Sequence, residues 1–132
     1  MDLLLDTHVV VWWLLGSRKL PEGYRRELQR CERAGRPVFV SAFSLWEIAM
    51  LVSRGRLEPR VTVDELLSSI ENDPLFEVLP LSGRIAAEST RLGSGYHKDP
   101  ADQIIAATAR CHRLKLMTCD DVIRDSGVVA IA

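Results

Sequence analysis

Five carboxylates stand where the chain should pass between strand and helix: Asp6, Glu47, Asp99, Asp102 and Asp120. Two of them, in "HKDPADQIIAATARC" (97–111), open an almost wholly apolar helix. Each has a purely structural use. Asp6 can cap the helix that follows it, and Ser44 with Glu47 has the S-x-x-E spacing of a capping box. Asp99 before Pro100 is a cap followed by proline at the first helical position, and Asp102 suits the positive end of the helix dipole. Asp120 can cap the short turn "DDVIRD". As a set the acids have a second use. If four of them converge, each close pair repels by on the order of 4 kcal/mol at ~4 Å and an effective dielectric near 20. Cap gains of about 0.5–2 kcal/mol each do not offset that. A hard divalent cation does. Mg2+ and Mn2+ take carboxylate oxygen and water, and no His or Cys cluster competes for the role.

The neighbours of these acids bear on the choice. Asp102 shares a helix stripe with Ala106 and Ala109, small residues that bring the helix close to a sheet, where an unpartnered carboxylate is costly. Glu47 lies between Trp46 and Ile48. Thr7 and Thr118 place hydroxyls one or two residues from Asp6 and Asp120, where they either orient a carboxylate or metal-bound water or simply pack as β-branched residues at strand ends. No Ser or Cys has a matching His partner for nucleophilic catalysis.

The elements that must position these groups follow from hydrophobic pattern. "LLLD" (3–6) reads as a strand buried on both faces, running at once into the helix "THVVVWWLLG" closed by Gly16. An exposed helix is expected from Pro21 to about Cys31 or Arg33, then the strand "VFVS" (38–41) and the helix "SLWEIAMLVSRG" (44–55), stopped by Gly55. A helix over 62–72 is capped by Thr62 or Asp64. The strand "FEVLPL" (76–81), a helix over 82–92, the loop "GSGYHKD" and the helix 100–113 follow. "KLMTC" (115–119) and "GVVAI" (127–131) read as the last strands. Strands alternating with helices imply an α/β fold, a three-layer α/β/α sandwich around a mainly parallel sheet, spanning 1–132 as a single domain. In such a sheet the acids at strand ends can meet on the carboxyl rim, where ligands bind.

Bulk properties narrow the partners. With 132 residues, 47% hydrophobic and 27% charged, the chain is of ordinary globular composition, and its net charge of −1 exerts no global pull on nucleic acid or anionic lipid. The charge is unevenly spread: residues 18–60 hold ten Lys/Arg against five acids, and the balance reverses beyond. Three cysteines without C-x-x-C spacing suit a reducing cytoplasm and argue against structural zinc. The apolar start lacks a basic flank and a cleavage site and is interrupted by Asp6 and His8, so neither a signal peptide nor a membrane span is expected.

"LLLDTHVVVWWL", "VSAFSLWEIAMLVSRGRL", "HKDPADQIIAATA" and "LMTCDD", in that order from Met1 to about residue 125, together resemble the PIN domain, in particular its toxin branch called VapC. The resemblance implies an acidic pocket holding Mg2+ or Mn2+, with the family's acids falling on Asp6, Glu47, Asp102 and Asp120, and Asp99 assisting. It implies metal-dependent hydrolysis of RNA phosphodiester bonds, a homodimer, and an antitoxin protein that silences the toxin. Thr7, Ser44 and Thr118 would support the acids, and Arg54, Arg56 and His97 would touch RNA. Two positions depart from the pattern: Gln103 where many relatives carry Arg, and Leu51 where many carry Lys. Both subtract positive charge, so the alternative is a PIN-like scaffold of weak or absent activity that binds RNA or protein.

A phosphate-accepting receiver domain also gathers acids at strand ends. It would need an acidic pair after the first strand and a lysine on a late one, and only Asp6 and the misplaced Lys115 are present. A haloacid-dehalogenase-like phosphatase needs a second Asp at position 8, which is His8.

Overall fold

Buried on both faces, the run Leu3–Leu5 forms β1 at the centre of the sheet. The computed structural model describes residues 2–93, 95–96 and 99–132. Among them, β1 is followed by α1 (Thr7–Leu14), α2 (Glu22–Ala34), β2 (Val38–Ser41), α3 (Ala42–Ser53), α4 (Val63–Asn72), β3 (Phe76–Leu79), α5 (Gly83–Ser89), α6 (Pro100–His112), β4 (Lys115–Met117) and α7 (Asp121–Asp125). The strands lie in the order β3-β2-β1-β4, all parallel.

Alternation along the strands divides the core into two. Leu3, Leu5, Val38, Val40 and Met117 face one way, against Val9 and Val10 of α1, Leu28 of α2, Ile48 of α3 and Ile70 of α4. Leu4 and Leu116 face the other way, against Ile105 and Ala109 of α6 and Ile123 of α7. Helices therefore cover both faces, giving the three-layer α/β/α sandwich expected from the pattern. The alanines of α6 act as expected: Ala106, Ala107 and Ala109 are fully buried, so the helix lies tight on the sheet.

The chain after β1 enters α1 on one face, whereas the chain after its neighbour β4 enters α7 on the other. The crevice between the ends of β1 and β4 is thus the topological switch point, the place where open α/β sheets take ligands. Asp6 and Thr118 flank it.

Three local readings are corrected. Residues 127–131 do not form a strand; they contribute one isolated parallel bridge, Leu116 to Ile131. The Leu116 amide donates to the Ala130 carbonyl and the Ala132 amide to that of Leu116, so the segment seals the edge of β4 without extending a ladder. The segment "DDVIRD" is a short helix rather than a turn. The third helix begins at Ala42, two residues earlier than its pattern implied. Its cap is Ser41, whose hydroxyl accepts from the Phe43 amide, and Ser44 and Glu47 form no capping box.

Candidate active site

Asp6 follows β1 directly. Its backbone amide still donates to the Met117 carbonyl of β4, and its Oδ1 accepts the Thr7 amide at 2.9 Å to cap α1. The other oxygen, Oδ2, accepts the Thr118 hydroxyl at 2.6 Å. The carboxylate is buried, and the helix N-terminus and the hydroxyl together hold it in one orientation.

Because α3 begins at Ala42, Glu47 falls in its second turn and makes no use of the helix dipole. It is tied instead to α1, where the Thr7 hydroxyl donates to its Oε1. Thr7 has one proton to give, so the buried Ser44 hydroxyl, 2.8 Å away, is left to donate to Thr7. Ser44, Thr7 and Glu47 thus form a relay that fixes α3 against α1. Burial pushes the Glu47 carboxyl up from its ordinary value. The Thr7 hydrogen bond and His8 oppose this, while the negative charges of Asp6 and Asp99 add to it.

Asp102, in the first turn of α6, lines a cavity of about 350 Å³ together with Asp6, Thr7, His8 and Glu47. Three of the sequence-predicted acids therefore share one concavity. Asp120 does not line it. That side chain caps α7, its Oδ1 accepting from Val122 and Ile123, and its amide donates to the Thr118 hydroxyl, so it reaches Asp6 through Thr118. Asp99 caps α6 through the Ala101 amide and faces a neighbouring groove, which Glu47 also lines.

Arg56 and Lys19 stand on the acid cavity, as does the departure Leu51; Gln103 does not line it. Arg54 lies on the neighbouring groove. His97 falls outside the described residues.

The sequence reading missed three groups. Lys19 brings a cation to the cavity from the α1–α2 loop, and nothing in its local sequence separates it from other surface lysines. His8 accepts the Cys119 amide at Nε2, which leaves its proton on Nδ1, 3.5 Å from Asp6 Oδ2. Tyr96 donates a long hydrogen bond to the Asp102 carbonyl at 3.4 Å. Its hydroxyl is pushed well above the ordinary phenol range by burial, then by the negative charges of Asp102, Asp6 and Asp120.

Suitability for a divalent cation can be judged from the donors. All are hard carboxylate oxygens, and the charge of Asp6 adds to the burial that raises the Glu47 carboxyl. Among the described residues, no group of three or more His, Cys, Asp or Glu side chains is placed so that all could hold one metal ion. The arrangement fits an ion held directly by one or two carboxylates with water completing its shell, which is the habit of Mg2+.

Comparison with known proteins gives a consistent result. The PIN domain family matches residues 3–128. Ribonuclease VapC22 of Mycobacterium tuberculosis is 28% identical over 122 residues, covering 92% of this chain and 89% of that protein. VapBC2 of Rickettsia felis, solved bound to a DNA fragment from its promoter, superposes over 100% of this chain and 98% of its own with a TM-score of 0.73 at 16% identity. A toxin–antitoxin complex from Klebsiella pneumoniae superposes over 98% of this chain and 96% of its own with a TM-score of 0.63 at 26% identity.

Proposed function

Because the chain belongs to the PIN domain family, we propose that it is a metal-dependent endoribonuclease, the toxin of a toxin–antitoxin pair, hydrolysing RNA phosphodiester bonds. The observation that carries this reading is the convergence of Asp6, Glu47 and Asp102 on one cavity at the switch point of a parallel sheet. The likeness to a ribonuclease and to a toxin–antitoxin complex supports the substrate and the protein partner.

Of Asp6, Glu47 and Asp102, one or two would hold Mg2+ directly and the rest would reach it through its waters, with Mn2+ able to replace it, and Asp120 and Asp99 would add negative charge at longer range. When bound there, the ion would supply a water of lowered pKa and charge neutralisation at the phosphate. The protein's own contribution is orientation. Thr118 and the α1 amide fix Asp6, the Ser44–Thr7 relay fixes Glu47, and Arg56 and Lys19 attract the phosphate to an otherwise anionic cavity. The chain would act in the cytoplasm, where three free cysteines stay reduced, as a homodimer bound by an antitoxin.

The test is cleavage of single-stranded RNA by the purified chain with Mg2+ or Mn2+. Activity should vanish with a chelator and with Asp102→Asn; cleavage that survives both sinks the proposal. The second reading, a PIN-like scaffold without catalysis, draws on the lack of such a group of three ligands among the described residues. Calorimetric titration with Mn2+ separates the two, because a scaffold has no need to bind the ion.

A further inference from the structure

We propose that the groove beside the acid cavity is a stacking platform for an unpaired base of single-stranded RNA, with Trp46 as the platform. This rests on the ribonuclease reading above and specifies how the substrate is held next to the scissile phosphate.

Trp46 is 55% exposed, the only aromatic among the exposed large apolar side chains of the described residues. Its ring is not loose. It lies 5.1 Å from that of Phe43, at an interplanar angle of 40°, which sets its orientation on α3. Phe43, Trp46, Met50 and Arg54 follow one another at helical spacing and line a groove of about 330 Å³. That volume lies at the small end for a ligand site, roughly 300–1,000 Å³. Glu47, Leu51 and Arg56 line both this groove and the acid cavity, so the two are continuous. A strand with one phosphate at the acids can therefore continue directly over Trp46.

Charge selects the occupant. Arg54 and Arg56 make no ion pair within the described residues, and they flank the aromatic face as phosphate contacts would. Asp99, on the opposite wall, repels phosphate and leaves that side to the base. An aromatic face between a guanidinium wall and a cleavage site is the arrangement by which single strands are held through stacking, and a base still in a duplex cannot reach it.

The experiment measures binding of a fluorescent oligouridylate to the purified chain in chelator, and of the same oligonucleotide with an abasic nucleotide placed at each position in turn. Trp46→Ala should weaken binding of the intact strand roughly 5- to 150-fold, the range for losing one stacked base, while Trp46→Phe keeps most of it. One abasic position should weaken binding to the wild type and have no further effect on Trp46→Ala. Because the side chain is exposed, the variants should melt with the wild type. Equal binding by wild type and Trp46→Ala, with cleavage by the wild type intact, overturns the platform and leaves the ribonuclease reading standing. Sedimentation in which Trp46→Ala converts a dimer to a monomer, with no abasic effect, assigns the face to a second copy and also overturns it. A wild type that neither cuts nor binds RNA removes both.

Discussion

At the scale of single residues, the acids divide by what holds them. Asp6 is buried and depends on two donors, one of which, Thr118, can be removed without changing shape. Thr118→Val removes the donor to Asp6 and also the acceptor of the Asp120 amide; it should cost at least about 1.5–3 kcal/mol, the worth of the hydrogen bond to the charged Asp6 alone, read as a lower urea midpoint at unchanged slope. A loss of less than half that would mean that Asp6 is held by the α1 amide alone. Glu47 makes a different prediction. Its carboxyl titrates above its ordinary value of 4.5, so the folded chain binds that proton more tightly than the unfolded chain. The stability it confers is complete below the unfolded value and is lost as the pH climbs through the folded one. In chelator, the wild type should therefore lose stability relative to Glu47→Gln across that rise. Mn2+ should restore it at the upper end, where the ion replaces the proton. Thermal melts of both proteins over a pH series, with and without Mn2+, check this; parallel curves would contradict the direction of the shift.

At the scale of elements, capping and chemistry separate by substitution. Asp120→Asn keeps a good N-cap for α7 and removes the charge, whereas Asp120→Ala removes both. The alanine should cost about 0.5–2 kcal/mol in stability and the asparagine only a few tenths. If the charge of Asp120 also serves the reaction, both should lower kcat; an active Asp120→Asn would leave it a cap alone. The same elements show what was legible in the sequence. Strands β1 and β2, the helix following each, and the acids Asp6 and Asp102 were readable because apolar runs and caps are local signals. The start of α3 was not, because Ser41 and Ser44 both make plausible caps and only tertiary packing buries Ser44 against Thr7. The segment 127–131 has strand composition but pairs at a single bridge, since strand length is decided by a neighbour and not by propensity. Lys19 and Tyr96 reach the acids through loops whose path no local pattern encodes, and His8, in the first turn of α1, is tied to the site by the distant Cys119 amide.

At the scale of the whole molecule, the proposed binding of RNA by a chain of net charge −1 rests on the local distribution of its cations. The basic excess of residues 18–60 becomes useful because the fold carries Lys19, Arg54 and Arg56 from it to the rim of the acids. Other arginines of the same stretch are spent elsewhere, Arg30 on Glu27 and Arg36 on Asp2. Three cations at the site set the salt dependence of binding. For a single strand the slope of log affinity against log salt is about −0.7 per neutralised phosphate, so the wild type should show a slope near −2. Arg56→Gln should bring it close to −1.4 by removing one contact. Arg30→Gln, which breaks an exposed ion pair outside both cavities, should leave the slope unchanged. Fluorescence anisotropy of a labelled oligouridylate over a salt series in chelator measures all three. If Arg56→Gln and the wild type share one slope, phosphate does not pass the rim where the two cavities join, and the path of the strand must be redrawn.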